Sequence, residues 1–209
     1  MRRAYVAASF AAAALIAVGF MARADTTPSY FSVKGNTAIA QFQTTSPTDG
    51  CIEYFVSVVA SDLMQKVSPG PKTSQVGTVL VVEVRDVCQN LVLFLGEGET
   101  SQQSLRIARN LSSATLTATV TVFDVISTQP STFAVNLTWT AQGPVETHND
   151  HQIFRDASLL INTQIRGSHV VAEATGTVVG LGQNFTPEPS ISAELQTQND
   201  GTVVIQMSN

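Results

Sequence analysis

Residues 113–141 read SATLTATVTVFDVISTQPSTFAVNLTWTA, and this stretch decides the fold class. From Ala114 the even positions are Ala114, Leu116, Ala118, Val120 and Val122, with Thr115, Thr117, Thr119 and Thr121 between them. After a turn over Ser127–Ser131 the alternation resumes. Phe133, Val135, Leu137 and Trp139 fall on one face, and Thr132, Asn136, Thr138 and Thr140 on the other. Strict period-2 alternation in β-branched and aromatic residues is the pattern of antiparallel strands with one face on a core and one in water. The stretch predicts a β-hairpin with Trp139 inside.

Working outward, the same periodicity predicts strands over Thr37–Gln43 and Cys51–Ala60, joined by a Ser-Pro-Thr-Asp-Gly turn, then over Gly77–Asp86 and Gln103–Arg109. Leu91–Leu95 is uniformly apolar and reads as a short strand buried on both faces. Beyond the hairpin, Ala157–Ile165 and His169–Val179 read as a strand pair across Arg166-Gly167, and Ile191–Thr197 and Thr202–Met207 as a closing hairpin (190–207) across Asn199-Asp200-Gly201. Residues 25–36 read as a lead-in with a short edge strand at Tyr30–Val33, and Gly96–Glu99 and Gly143–Asp156 read as loops. So does Ser61–Val76, with room for one helical turn over Asp62–Lys66. The expected fold is all-β: an antiparallel β-sandwich or barrel of about eleven strands with no amphipathic helix. Residues 37–109 and 114–180 echo one another at a shift of about 80, as an internal duplication sharing one core would; regularly spaced strands alone are the alternative source of such an echo.

Residues 1–24 read as a cleaved signal peptide. Arg2 and Arg3 form the charged region, Val6–Phe20 the apolar region, and Ala22-Arg23-Ala24 a small-x-small cleavage site. The apolar run is about five residues short of the roughly 20 that span a bilayer, so no transmembrane segment is expected in the mature chain. Export by the general secretory route to the periplasm or the outside is expected, twin-arginine export being the alternative. Residues 25–209 are expected to form a single domain. Without Arg2, Arg3 and Arg23 there are 8 basic against 16 acidic residues, a net charge of −8. Such a surface repels phosphate backbones, so no nucleic-acid partner is expected. Cys51 and Cys88 are the two cysteines, and in an oxidising compartment a disulfide is expected between them.

The chemistry-bearing side chains gather in Glu146-Thr147-His148-Asn149-Asp150-His151. His148, Asp150 and His151, with His169 farther on, are candidate ligands for zinc or a similar ion, and Glu173 lies on the outward face of the strand that His169 begins. The spacing matches no standard zinc motif. Two histidines three apart face one another only where the backbone turns helically, and a solvated polar loop is the alternative. Hydrolase signatures such as Gly-x-Ser-x-Gly are absent from the sequence.

The segments ATLTATVTVFDV (114–125), VNLTWTAQG (135–143), AEATGTVVG (172–180) and NFTPEPS (184–190), with a His- and Arg-bearing loop between them, resemble uncharacterised secreted bacterial all-β proteins. The resemblance implies a compact exported β domain and brings no activity, cofactor or catalytic residue with it. The leading functional expectation is a non-enzymatic exported domain that binds a ligand or protein partner at or outside the cell surface. The alternatives are a secreted metal-binding protein or hydrolase with its site in 146–156, and a structural surface or matrix component.

Overall fold

The computed structural model describes residues 28–46, 48–156 and 158–206, so the expected signal peptide lies outside the described residues. The chain forms eleven strands: β1 (Ser29–Thr45), β2 (Ile52–Ser68), β3 (Lys72–Asp86), β4 (Leu91–Thr100), β5 (Gln103–Ile107), β6 (Ser113–Asp124), β7 (Pro130–Ala141), β8 (Glu146–Arg155), β9 (Leu159–Gly180), β10 (Gln183–Asn184) and β11 (Ser192–Gln206). All pairings are antiparallel. β9 pairs with β11 and with β7, and the ladder from β11 runs through β1, β2, β3, β4 and β6 back to β7, so eight strands close a ring. This is the all-β barrel among the expected alternatives. β5 continues the line of β4 along β6, pairing Gln103–Ile107 with Ala118–Ala114.

The interior of the ring is filled by alternate residues. In the hairpin β6–β7 these are the expected ones, with Leu116 opposite Leu137 and Val120 opposite Phe133, and Trp139 is fully buried with its indole N–H donating to the Ile39 carbonyl at 2.8 Å. Ala38, Ala40 and Phe42 of β1, Val56 and Val58 of β2, and Leu80 and Val82 of β3 complete the same core. Opposed residues of an antiparallel ladder share a face, so this one parity fixes which side chains point inward all around the ring.

One seam is irregular. Between β9 and β1 the chain from Phe185 to Ile191 replaces a regular strand, and its hydroxyls satisfy the β9 backbone. Ser190 Oγ accepts from Ala174 N (2.8 Å), and Thr186 Oγ1 accepts from Val178 N (2.9 Å) and donates to Gly176 O (3.2 Å). Phe185 plugs the core there, 5.1 Å from Tyr54 and 5.5 Å from Phe133 between ring centroids.

Five strands outrun the barrel. Above the level of Ala38, the first half of β9, the second half of β11, the first half of β1, the second half of β2 and the start of β3 continue as an open sheet, and β8 adds a sixth strand at its edge. This extension corrects several expectations. Ser61–Val76 is no loop and has no helical turn: β2 runs to Ser68, β3 starts at Lys72, and the turn is confined to Pro69-Gly70-Pro71. The 25–36 lead-in is strand from Ser29, Gly143–Asp156 is largely the strand β8, and the pair expected across Arg166-Gly167 is the single 22-residue β9. The hairpin expected across Asn199-Asp200-Gly201 is the uninterrupted β11. Polar residues lie in these strands because, among the described residues, no other layer covers either face of the extension, so burial selects no alternating pattern.

Gly96–Glu99 is also strand. Gly96 and Gly98 face inward, where a Cβ would stand 2.5 Å from Val122 Cγ1 and 2.1 Å from Thr121 O, while Glu97 and Glu99 face water.

Candidate functional site

The β8–β9 ladder places the histidines. Its register sets Glu146 opposite His169 and His148 opposite Gly167, so these residues and Asp150 share the outer face. His169 Nε2 lies 3.4 Å from Glu146 Oε2, and the His148 and His169 ring centroids are 6.3 Å apart. Gly167 makes room for this. A Cβ there would fall 2.6 Å from the His148 ring, so the ring lies flat across the β9 backbone toward His169.

His151 is on the other face, its Nε2 2.7 Å from Asn162 Oδ1. Because 146–155 is strand and not a helical turn, three residues of separation put His148 and His151 on opposite sides. The four expected ligands therefore divide: His148, Asp150 and His169 on one face, with Glu146 added, and His151 apart. Glu173 shares their face, but four strand residues place it about 13 Å from His169 along β9. It lines a separate shallow depression of about 370 Å3 with Gln142, Val171, Ile191 and Glu194. The group of three donors that the described residues bring closest together is Cys51, Asp86 and Cys88. Cys51 and Cys88 are joined as the expected disulfide, with Cα atoms 5.3 Å apart, so their sulfurs are not free thiolates.

A second feature is larger. The β1–β2, β3–β4, β6–β7 and β9–β10 turns all lie at the end of the barrel remote from the open sheet. Two of them are built alike on a buried carboxylate. Asp86 Oδ1 accepts from Gln89 N at 2.9 Å, and Asp124 accepts from Ile126 N and Ser127 N at 3.1 Å and from Ser127 Oγ at 2.5 Å. Asp124 also takes Leu95 N of the neighbouring strand at 3.2 Å. The Ser127 hydroxyl, with the Ile126, Leu95 and Ser127 amides, holds the Asp124 carboxyl below its ordinary pKa against the opposing effect of burial. Since Asp86 and Asp124 occupy the inward positions, Val87 and Val125 must point out.

The result is an apolar end. Val125 is 68% exposed, Phe123 59%, Ile126 56%, Leu91 52%, Leu93 45%, Val87 42% and Leu95 37%. Val125 N donates to Leu95 O at 2.7 Å, which sets the β6–β7 turn against the β4 leucines, while Leu95 and Phe123 stand opposite Glu83 and Glu97 on the outer wall. Leu91–Leu95, expected to be buried on both faces, buries Phe94 and exposes the three leucines. Seven half-exposed aliphatic and aromatic side chains amount to roughly 600 Å2, at the upper limit of the largest patch on an ordinary monomer. The uniform run LVLFL (91–95) is the sequence signal for this surface, and a buried strand has the same composition.

No protein-family model matches the chain. No curated protein matches it either. Among solved structures, the chain is similar to an acetoacetate decarboxylase-like enzyme from Sphingomonas wittichii RW1, at 8% identity and a TM-score of 0.26 over 88% of this chain and 94% of that one, a likeness too slight to carry fold or function across.

Proposed function

We propose that the protein is an exported binding module that docks a second protein through its apolar end. The observation that carries this is the exposure of Val87, Leu91, Leu93, Leu95, Phe123, Val125 and Ile126 at one end of the barrel, held out by turns whose own polar groups are satisfied. Apolar area of this size near the ~800 Å2 that each partner gives to a standard interface is costly to leave in water. The disulfide ties the β1–β2 and β3–β4 turns together, so the surface is preorganised and little ordering entropy opposes docking.

A protein is favoured over an anionic bilayer by charge. Among the described residues this end of the barrel carries one cation, Arg85, and Glu83 holds its guanidinium at 2.6 Å. Membrane-surface binding draws on several free Lys or Arg. Phe123, Leu93 and Leu95 also lie on the side wall of the barrel, where a flat bilayer meeting the turn tips would not cover them. The disulfide is compatible with an extracellular or periplasmic location. No helix among the described residues is long and apolar enough to cross a membrane.

The test is a Leu93→Glu/Val125→Glu double variant followed in native extracts by size-exclusion chromatography. Wild-type protein is expected in a complex larger than its 22.2 kDa chain, and the variant as a monomer with unchanged thermal unfolding. A wild-type monomer, or a variant still assembled, contradicts the proposal.

A second reading has one specific observation behind it: Glu146, His148 and His169 converge on one face. Two imidazoles on one tetrahedral zinc at about 2.0 Å per bond hold their centroids about 5 Å apart, so the pair would need to close by about 1 Å. Zinc titration by calorimetry tests it. Binding lost in His148→Ala and His169→Ala but kept in His151→Ala supports a site, and binding that tracks none of the three refutes it.

A further inference from the structure

The protein has three lysines, Lys34, Lys66 and Lys72, and the register brings all three to one face of the open sheet. Lys66 pairs directly with Lys72, and Lys34, which pairs with Met64, is diagonal to Lys66. Their parity is that of Ala38, Val58 and Leu80, so this face is the upward continuation of the barrel interior. Arg166, of the same parity as Val170, and Arg155, opposite Leu160, join them. Five of the eight cationic side chains among the described residues thus project from one face, all exposed, where the strands carry a single carboxylate, Asp62. Glu146, Asp150, Glu194 and Asp200 are on the opposite face.

Chance segregation of this kind is unexpected in a chain of net charge −5. Like charges directly opposite on neighbouring strands are destabilising, and no lysine is ion-paired among the described residues. Protection of a free sheet edge accounts for Lys72 on β3 but not for Lys66 and Lys34, which stand one and two strands further in. An anion bound across the three strands removes the repulsion.

The side chains between the cations indicate which anion. Across the sheet, Asn149, Arg166, Asn199, Lys34, Met64 and Ser74 form one row; His151, Gln164, Gly201, Ser32, Lys66 and Lys72 form the next. Amides and hydroxyls standing among ammonium and guanidinium groups suit a chain that offers hydroxyls and carboxylates together. Among the described residues the aromatic rings on this face are Tyr30 and the imidazole of His151, too few for the stacking platform that single-stranded nucleic acid requires. We infer that this face of the open sheet is a docking surface for an acidic polysaccharide of the polyuronate class, at the opposite end of the molecule from the apolar surface and independent of it. Six strands about 4.8 Å apart give a track of roughly 24 Å.

The test is affinity electrophoresis of the purified protein through gels containing polygalacturonate, with neutral dextran as control and with phosphatidylglycerol vesicles and single-stranded DNA assayed in parallel. Retardation by polygalacturonate alone is expected at low ionic strength and is expected to vanish near 1 M salt, where screening falls to about 3 Å. Lys34→Gln/Lys66→Gln/Lys72→Gln should weaken it by at least tenfold without lowering the melting temperature, because all three side chains are exposed and the substitutions remove their mutual repulsion. Arg106→Gln/Arg109→Gln, on and beside β5, should leave it unchanged. No retardation of the wild type, equal weakening by the β5 variant, or binding to vesicles or DNA as tight as to the polyuronate would overturn the inference.

Discussion

Replacing both bridged cysteines, Cys51→Ser with Cys88→Ser, isolates what the disulfide contributes. The bridge closes a sequence separation of 37 residues, enclosing β2 and β3, two strands of the ring. On the loop-entropy account, opening it frees the unfolded chain by about 4 kcal/mol. The folded state should change little. Val87 N still donates to Cys51 O, and Ile52 still pairs with Asp86, so the two turns remain joined by backbone bonds. Urea denaturation followed by circular dichroism is the assay. With a slope of about 2 kcal/mol per molar for a domain of this size, the midpoint should fall by about 2 M, with the native spectrum retained. A fall of less than about 0.5 M would refute the reasoning, as would loss of native structure before any urea is added.

Other perturbations read other parts of the molecule. Trp139→Phe removes the indole N–H from the Ile39 carbonyl and leaves a gap in a fully buried position, so it should cost about 2–4 kcal/mol by the same denaturation assay. Gly176→Ala places a Cβ 2.1 Å from Asn136 O at a φ of +130°, and a melting point lower by at least about 5 °C is expected in calorimetry. Asp124 has a folded pKa below its unfolded value, so its contribution is present above the unfolded pKa and is lost as pH falls through the folded one. Asp124→Asn should therefore be less stable than wild type at neutral pH, and the two should converge in acid; a difference constant from pH 7 to pH 2 would contradict this.

How much of this was legible in the residues depended on whether a face was covered. The hairpin β6–β7 lies on the core along its length, so burial imposed the Thr-apolar alternation and its phase could be read down to Trp139. The disulfide was legible from cysteine count alone. The open sheet was not, because with both faces in water its strands carry Asn, Gln, Ser and Lys that look like loop. Asn199-Asp200-Gly201 has the chemistry of a turn, yet it sits within β11, where Asp200 accepts from Arg166 N at 3.0 Å and Gly201 pairs with Ser32. Arg166-Gly167 was misread for the same reason; its glycine serves the His148 ring and not a turn. The candidate site followed the strands. With 146–155 as β8, period two separates His151 from His148 and sets Glu146 beside His169, a pairing across a ladder that is invisible in one dimension. The apolar end was hidden by its own composition, since five consecutive apolar residues fit a buried strand as well as an exposed edge.

The most direct measurement of the central claim is a site-specific photo-cross-linking comparison in the cells that produce the protein. Benzoylphenylalanine replaces Phe123 on the apolar end or, as the control, Thr117 on the outer wall of the same strand, between Ser104 of β5 and Asn136 of β7. A discrete protein adduct from position 123 and none from position 117 is the predicted result, whether the captured chain is another protein or a second copy of this one. Adducts to lipid alone, no adduct at position 123, or equal yields from both positions would contradict it.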